Sequence, residues 1–246
     1  MLKRLAMLLV LFALTSSAQA YQGSGNTVRQ SIDMSAQGGY VSQSASNSAL
    51  VMGDNNNVDQ SISQTGTGTH VTQSAANAAV VVGNNNQVGQ GIDQRATGNT
   101  VAQAGANAVA VVGNNNLVDQ RIRQQATGNE IFQSGWNVGV VIGDDNRLTQ
   151  GVLAFAENAP RAVDPTQEMS NSAYIMGYHN QVNQDIAGYV FFGSSNAPVT
   201  QTGNNFIQTP DMRYNDYDQR MRFAVQAGPQ ARVMQSATNE IKIGPW

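Results

Sequence analysis

Apolar and polar residues alternate with a period of two along most of this chain, and the pattern recurs every thirty residues. In the block 101–130, VAQAGANAVAVVGNNNLVDQRIRQQATGNE, alternate residues from Val101 to Val111 fall on one side of a strand. Alternate residues from Val118 to Gln124 fall on one side of a second strand. Gly-Asn-Asn-Asn and Thr-Gly-Asn segments follow these strands and favour tight turns. Each unit is therefore predicted to be strand, turn, strand, turn.

The repeat extends well beyond this block. A shift of thirty residues superimposes it on block 71–100, VTQSAANAAVVVGNNNQVGQGIDQRATGNT, and further copies occupy 41–70 and 131–160. After an insertion of four residues the pattern resumes at Asn171, so the repeat domain is predicted to span residues 21–208. A period of this length is typical of stacked repeats. We expect an all-β fold, a β-solenoid of about five to six strand-turn-strand rungs, with a C-terminal capping or docking segment.

Stacking at the usual strand spacing of about 4.8 Å places equivalent residues of successive rungs above one another. Several of these columns consist of amides, which are costly to bury unless each donor and acceptor is paired. Identical amides one rung apart can pair along the stack. Inward-pointing structural ladders are therefore predicted for three columns: Gln43, Gln73, Gln103 and Gln133; Asn47, Asn77, Asn107, Asn137 and Asn171; Gln60, Gln90, Gln120, Gln150 and Gln184.

The outward positions of the two strands differ in character. The second strand presents an ordinary solvated surface, such as Asp119, Arg121 and Arg123. The first strand ends in an apolar stripe, and such a stripe on a solenoid predicts a covering element or a partner. Lateral packing against another copy and burial under the C-terminal segment both remain open. The predicted interface consists of Leu50, Met52, Val80, Val82, Val112, Val140, Ile142, Tyr174 and Met176.

The segment 209–246 differs in composition from the repeats. Residues 211–222 hold the densest charge in the chain, whereas 235–243 resemble 125–131 and predict one more strand pair. An open last rung is an unprotected sheet edge, so we interpret this segment as a cap or docking element, with a partly disordered tail as the alternative. All six prolines lie at or beyond Pro160, which leaves every backbone N–H of 21–159 available to a ladder.

The N-terminus has the pattern of a secretory signal peptide. Lys3 and Arg4 precede an apolar run that is too short to cross a bilayer, and Ala18-Gln19-Ala20 offers small residues for cleavage. Residues 1–20 are therefore predicted to be removed on export, and no transmembrane span is expected. Without Lys3 and Arg4 the net charge falls from −3 to −5, which argues against nucleic-acid binding. The chain has no cysteine, hence no disulfide or thiolate metal site.

Candidate catalytic and metal-binding residues are few. His70 and His179 are predicted to lie in surface turns, and Asp144 and Asp145 occupy positions that hold asparagine in other copies. We interpret these aspartates as turn formers, with a weak calcium site as the alternative. Trp136 replaces a small outward residue, for packing or for stacking on carbohydrate. No nucleophile elbow, phosphate-binding loop or calcium-binding nonapeptide is present, so neither enzymatic activity nor a cofactor is expected.

Two segments resemble the curlin repeats of curli fibre subunits: Gln103-Ala104-Gly105-Ala106-Asn107-Ala108, and Gly98-Asn99-Thr100-Val101-Ala102-Gln103. The resemblance covers roughly Gly25 to Gln208, in units longer than those of curlins. It implies export through the periplasm and outer membrane of a Gram-negative bacterium. It also implies polymerisation into extracellular β-solenoid amyloid that supports adhesion and biofilm matrix. The partners that it implies are further copies of the chain, a homologous nucleator and an outer-membrane secretion channel.

Two functional classes follow from these observations. In the first, the chain is a secreted fibre subunit whose exposed rungs pair with further copies. In the second, it is a capped, monomeric solenoid that acts as a surface adhesin, or that nucleates or anchors a fibre. The low charge, the proline-free repeats and the amide ladders favour the first class. A β-helical polysaccharide lyase or hydrolase is disfavoured, because such enzymes group acid and base residues on one outer face.

Overall fold

The computed structural model describes residues 11–22, 25–53, 55–83, 85–113, 116–143, 145–192, 198–209, 215–227 and 231–243. The strands are β1 (Leu11–Gln22), β2 (Thr27–Met52), β3 (Asn57–Val82), β4 (Gln87–Thr97), β5 (Thr100–Val112), β6 (Leu117–Ile142), β7 (Arg147–Met176), β8 (Gln181–Phe192), β9 (Val199–Thr209), β10 (Asp216–Gln226) and β11 (Val233–Ile243).

Every strand pair is parallel, and the register follows the sequence repeat. Val41 of β2 pairs with Val71 of β3, which pairs with Val101 of β5, which pairs with Ile131 of β6. The chain therefore advances by one layer for each repeat. The result is an all-β solenoid of about six turns, which confirms the predicted fold class.

Each coil bends at the Thr-Gly-Asn corner, so two strand segments lie opposite each other and share one interior. We call the outer surfaces of these two walls the charged side and the apolar side. The charged side is built from 27–37, 57–67, 87–97, 117–127, 147–157, 181–191 and 216–226. The apolar side is built from 41–52, 70–82, 100–112, 130–142, 166–176, 199–209 and 233–243.

The second turn of each coil needs left-handed backbone conformations. Gly83 has φ 146° and Asn85 has φ 54°, and equivalent residues of the neighbouring turns have similar values. At Gly113, whose φ is 150°, a Cβ would overlap the carbonyl oxygen of Gly83 in the coil beside it. Glycine is required there both by its conformation and by the close stacking of successive turns.

The insertion between the fourth and fifth repeats is absorbed at the Thr-Gly-Asn corner. The pairing of β6 with β7 shifts register there, from Gly128 with Asn158 to Phe132 with Thr166. Beyond the corner, Asn137 pairs with Asn171, so the columns are restored with a spacing of 34 residues. The coil therefore lengthens at a surface bend, and its interior keeps the same order of side chains.

Three apolar clusters fill the interior, one near each end of the coil and one in the middle. The first includes Val58, Val88 and Val118, and the cluster at the opposite end includes Val71 and Val101. The middle cluster includes Ile62, Ile92 and Ile122. Buried amides lie between the clusters, so each coil repeats the same sequence of apolar and amide layers.

The predicted terminal segments both contribute strands. β10 pairs with β8 and β11 pairs with β9, so the C-terminal segment adds a further coil to the stack; residues 210–214, 228–230 and 244–246 lie outside the described residues. At the other end, β1 pairs with residues 41–52 of β2. This strand overlaps the predicted signal peptide, whose residues 1–10 lie outside the described part.

Candidate functional site

The first glutamine column forms a continuous hydrogen-bonded ladder. Gln73 Nε2 donates to Gln43 Oε1 over 2.7 Å, and Gln103 Nε2 donates to Gln73 Oε1 over 2.9 Å. Gln133 continues the ladder through Gln103 Oε1. All four side chains are buried from solvent, and their amide groups form hydrogen bonds with one another instead of with water.

Each ladder amide also makes a second bond across the interior. Gln73 Nε2 donates to the backbone oxygen of Arg95 over 3.0 Å, on the opposite wall of the coil. Asn107 Nδ2 similarly donates to the oxygen of Arg121 over 3.1 Å. One amide therefore joins adjacent coils and also joins the two walls, and both of its N–H groups have acceptors.

The asparagine ladder runs in the opposite direction to the first glutamine ladder. Asn77 Nδ2 donates to Asn107 Oδ1 over 3.1 Å, and Asn107 Nδ2 donates to Asn137 Oδ1 over 3.0 Å. Asparagine donors therefore point toward the C-terminal coil, whereas donors of the first glutamine column point toward the N-terminal coil. The two ends of the stack consequently differ in the groups that they present.

The second predicted glutamine column forms a ladder over most of its length. Gln120 donates to Gln90, Gln150 to Gln120 and Gln184 to Gln150, over 2.8–2.9 Å. Gln60 lies in the column and donates to the backbone oxygen of Ala78 over 3.2 Å. Its Oε1, however, has no hydrogen-bond partner within the described residues, so the ladder does not continue from Gln90 to Gln60.

Two further amide columns are absent from the sequence-based predictions. Gln94 Nε2 donates to Gln64 Oε1, and Gln124 Nε2 donates to Gln94 Oε1, each over 2.8 Å. In the glycine turns, the backbone N–H of Asn56 donates to Asn86 Oδ1 over 3.1 Å, and the same bond recurs from turn to turn. Side-chain amides therefore link successive turns, as they link successive strands in the two walls.

The ladders continue through the last described coil. Gln167, Gln201 and Gln235 extend the first glutamine column, and Asn205 and Asn239 extend the asparagine column. Within the described part of the chain, Gln235 Oε1 and Asn239 Nδ2 have no further partner, and all of β11 is exposed. The C-terminal coil therefore ends in an unfilled amide ladder and an open strand edge.

The charged side is solvated and carries short-range ion pairs. Arg95 contacts Asp93, Arg121 contacts Asp119 and Arg220 contacts Asp218, at 2.5–2.7 Å. Arg222 contacts Asp185 of the neighbouring coil. Such exposed pairs add little to stability. The same side also carries outward aromatic residues, Phe155 and Phe191, whose ring centroids lie 5.3 Å apart.

The apolar side has a different character. Between Tyr40 and Gln208 its described outward histidine and charged residues are His70, Glu130 and Glu168. β10 and β11 extend the stack instead of folding back over this side, so the C-terminal segment does not cover the predicted stripe. Leu50, Met52, Val80, Val82, Val112 and Ile142 are exposed, and Val140, Tyr174 and Met176 are half-buried. Phe132, Trp136 and Val138, which the predicted interface does not include, are exposed on the same side.

The residues with catalytic or metal-binding chemistry are dispersed. His70 lies within β3 and stacks on Tyr40 with ring centroids 4.6 Å apart, so its predicted turn position is wrong. His179 lies in a turn, 3.6 Å from Asp145, and Asp144 lies outside the described residues. Among the described residues, no group of three His, Cys, Asp or Glu side chains is placed to hold a metal ion. The described residues contain no helix long and apolar enough to cross a membrane.

Comparison with known proteins leaves the function to be inferred from this geometry. The chain matches no protein-family model, no curated protein and no solved structure. The chain is a tandem-repeat β-solenoid with stacked asparagine and glutamine ladders, an architecture consistent with a structural repeat protein.

Proposed function

We propose that this chain is a secreted structural subunit of an extracellular, curli-like amyloid fibre, in which coils continue from one copy to the next. The observation that carries this proposal is the state of the C-terminal coil. Every residue of β11 is exposed, and Gln235 and Asn239 are the last members of two ladders that run through the whole stack.

The N-terminal coil of a second copy has the residues needed to continue both ladders. Gln43 and Asn47 are four residues apart in β2, as Gln235 and Asn239 are in β11. Stacked in register, Asn239 Nδ2 of one copy donates to Asn47 of the next, as Asn205 donates to Asn239. Gln43 Nε2 of the next copy donates back to Gln235 Oε1, as Gln235 donates to Gln201.

The other wall of the coil fits the same arrangement. Gln219 and Asn215 are four residues apart, and so are Gln30 and Asn26 in the first coil. Gln219 donates a hydrogen bond to Gln184. Gln30 of the following copy would donate to Gln219 in the same direction along the stack. Both walls therefore support one orientation, N-terminal coil on C-terminal coil.

Removal of the predicted signal peptide is part of this proposal. β1 pairs with residues 41–52, the edge that a preceding copy would occupy. Cleavage during export would therefore expose the strand edge of residues 41–52, where the preceding copy would pair. The curlin resemblance supports an extracellular fibre with roles in adhesion and biofilm matrix, and it supports a secretion channel and a nucleator as partners.

The proposal is tested with protein that begins at Tyr21 and with one pair of matched variants. Ala237 points inward on the exposed β11, between Gln235 and Asn239, so Ala237→Lys buries an unpaired charge only when another coil stacks on it. Ala224→Lys places the same charge outward on β10. We expect thioflavin-binding filaments with a repeat of about 4.8 Å along the axis from the parent and from Ala224→Lys, but not from Ala237→Lys.

Filaments from all three proteins would overturn the end-to-end arrangement, and a parent that stays monomeric at high concentration would overturn fibre formation. A precursor that retains β1 is a further comparison. We expect it to assemble more slowly than the chain from Tyr21, because its N-terminal edge is already paired. Equal rates would show that this edge is not used.

A monomeric solenoid that acts as an adhesin, or that nucleates or anchors a fibre, is the second candidate. One observation favours it: the last coil has the bulky inward residues Tyr217, Met221 and Phe223 where the neighbouring coil has Val182, Ile186 and Gly188. Phe223 and Met221 pack toward Gly203 and partly cover the end of the core. On this alternative the parent stays monomeric and Ala237→Lys has no effect on its size.

A further inference from the structure

The apolar side contains two neighbouring rows that differ sharply in size. In β6 the outward residues include Phe132, Trp136, Val138, Val140 and Ile142. In the adjacent β5 the outward residues from Ala102 to Ala110 are all alanine, followed by Val112. The register places Phe132 beside Ala102 and Trp136 beside Ala106. A projecting row therefore lies next to a flat one across the middle of the exposed surface.

We propose that this side is the interface between two antiparallel copies of the solenoid, related by a twofold axis that runs along the strands between β5 and β6. Such a rotation places β6 of one copy opposite β5 of the other. Residues at the same position along the two strands then face each other. Trp136 of each copy then packs on Ala106 of the other, and Phe132 packs on Ala102. Each contact occurs twice, as an isologous dimer requires.

The sizes of the opposed residues suit the spacing of packed sheets. Two sheets pack about 10 Å apart, and a large side chain opposite an alanine fills that gap at Phe132 and at Trp136. A parallel arrangement that sets β6 against β6 would oppose two large rows and leave two alanine rows apart. The antiparallel arrangement avoids both the clash and the cavity.

Charge and area are also compatible with this partner. The same axis places β3 opposite β7, so Glu168 faces Ser74 and Glu130 faces Thr100, and no like charges meet among the described outward side chains. The rows from β2 to β9 cover roughly 1,000 Å² in each copy, from strand spacing and rise per residue. The total of roughly 2,000 Å² reaches the size of stable protein interfaces.

The proposal concerns a surface separate from the stacking ends, so it is tested in the Ala237→Lys background, which removes axial assembly from the measurement. Sedimentation velocity of this protein is expected to show a reversible dimer. Trp136→Ala is expected to weaken dimerisation by about tenfold or more, because it removes the largest anchor from both halves of the interface. Leu117→Ala, an exposed apolar residue of the charged side, is the matched control and is expected to leave the dimer unchanged.

A size exchange provides the decisive variant. Ala106→Trp alone sets tryptophan against tryptophan and is expected to abolish the dimer, although it makes the surface more apolar. Ala106→Trp with Trp136→Ala restores one tryptophan opposite one alanine and is expected to recover dimerisation to within about tenfold of the parent. If Ala106→Trp alone dimerises more tightly than the parent, the association is nonspecific and the proposal is wrong.

Cross-linking tests the orientation directly, because the chain has no native cysteine. Ser74→Cys and Glu168→Cys proteins are mixed and treated with a bis-maleimide that spans about 10 Å, the distance between packed sheets. We expect cross-linked dimer from the mixture and little from either variant alone. A mixture of Ser61→Cys and Gly151→Cys, on the charged side, is the control that should not react. Cross-linking of Ser74→Cys alone, at the level of the mixture, would instead indicate parallel copies.

Discussion

The charged side and the apolar side enclose the same interior but meet solvent with different residues. Inward, both walls alternate apolar side chains with amides that bond to the next coil. Outward, one wall has Asp–Arg pairs such as Asp119 with Arg121, and the other has alanine, valine, phenylalanine and tryptophan. The inward residues, which are alike in the two walls, determine the fold. The outward residues can therefore differ and can determine which surfaces the protein binds.

The largest effect on stability is expected from substitutions in the interior that the two walls share. Replacing both Gln103 and Asn107 by Leu deletes members of two ladders and both of their bonds across the interior. We expect a loss of about 1 to 3 kcal/mol of unfolding free energy for each buried amide group left without a partner. Chemical denaturation provides the measurement.

The matched control replaces outward residues of the charged side. Ser61→Leu with Thr65→Leu adds apolar volume on the exposed face of β3, away from the proposed interface, and is expected to change the unfolding free energy by no more than about 0.5 kcal/mol. If the two double variants are equally stable, the ladders do not hold the coils together.

A second comparison uses two glycines in different surroundings. Gly113 lies in a stacked turn, where a Cβ would overlap Gly83, and its φ is 150°. Gly151 lies on the charged side with nothing within 4 Å of an added Cβ. We expect Gly113→Ala to cost about 1 to 3 kcal/mol and Gly151→Ala to stabilise by up to about 1 kcal/mol, measured by thermal unfolding. Equal effects would contradict the close stacking of the turns.

A smaller effect is expected from the exposed ion pairs. Asp119→Ser with Arg121→Ser converts part of the charged side into an uncharged surface. Because exposed pairs are worth little, we expect a change below about 1 kcal/mol, and less at high salt. A large loss of stability would show that the charged exterior contributes to the fold as well as the interior.

The smallest expected effect is that of pH. The buried polar side chains among the described residues are amides and hydroxyls, none of which ionises in the accessible range. We therefore expect the denaturation midpoint to stay nearly constant between about pH 4 and about pH 9. Circular dichroism in denaturant at several pH values provides the measurement, and a sharp transition with pH would reveal a buried ionisable group.

The sequence predicts the layers well because identical residues recur at a fixed spacing. Gln103 and Asn107 lie on inward positions of a strict alternation, so their partners thirty residues away follow directly. The bonds to Arg95 and Arg121 oxygens were not predictable, because they depend on how closely the two walls approach.

Three other features escaped prediction for separate reasons. The Gln64 column changes to Met34 and Ala154 at its ends, so it does not look like a ladder along its full length. Asparagines such as Asn56 are common in turns for conformational reasons alone, so the residue type does not predict its bond to the next turn. Gln167 is four residues before Asn171, as Gln133 is before Asn137, so the sequence contained its signal, but it precedes the point at which the repeat pattern resumes after the insertion.

The opposite directions of the first glutamine and asparagine ladders have one more consequence. A chain added upside down would present the same ladder ends again, Asn239 Nδ2 and Gln235 Oε1, in place of the Asn47 acceptor and the Gln43 donor that continue the ladders. Each mismatched amide is a desolvated group without a partner, so a reversed subunit would dissociate readily. A single stack of copies would keep one direction throughout its length and would have two chemically distinct ends, whereas two stacks joined through their apolar sides would run in opposite directions.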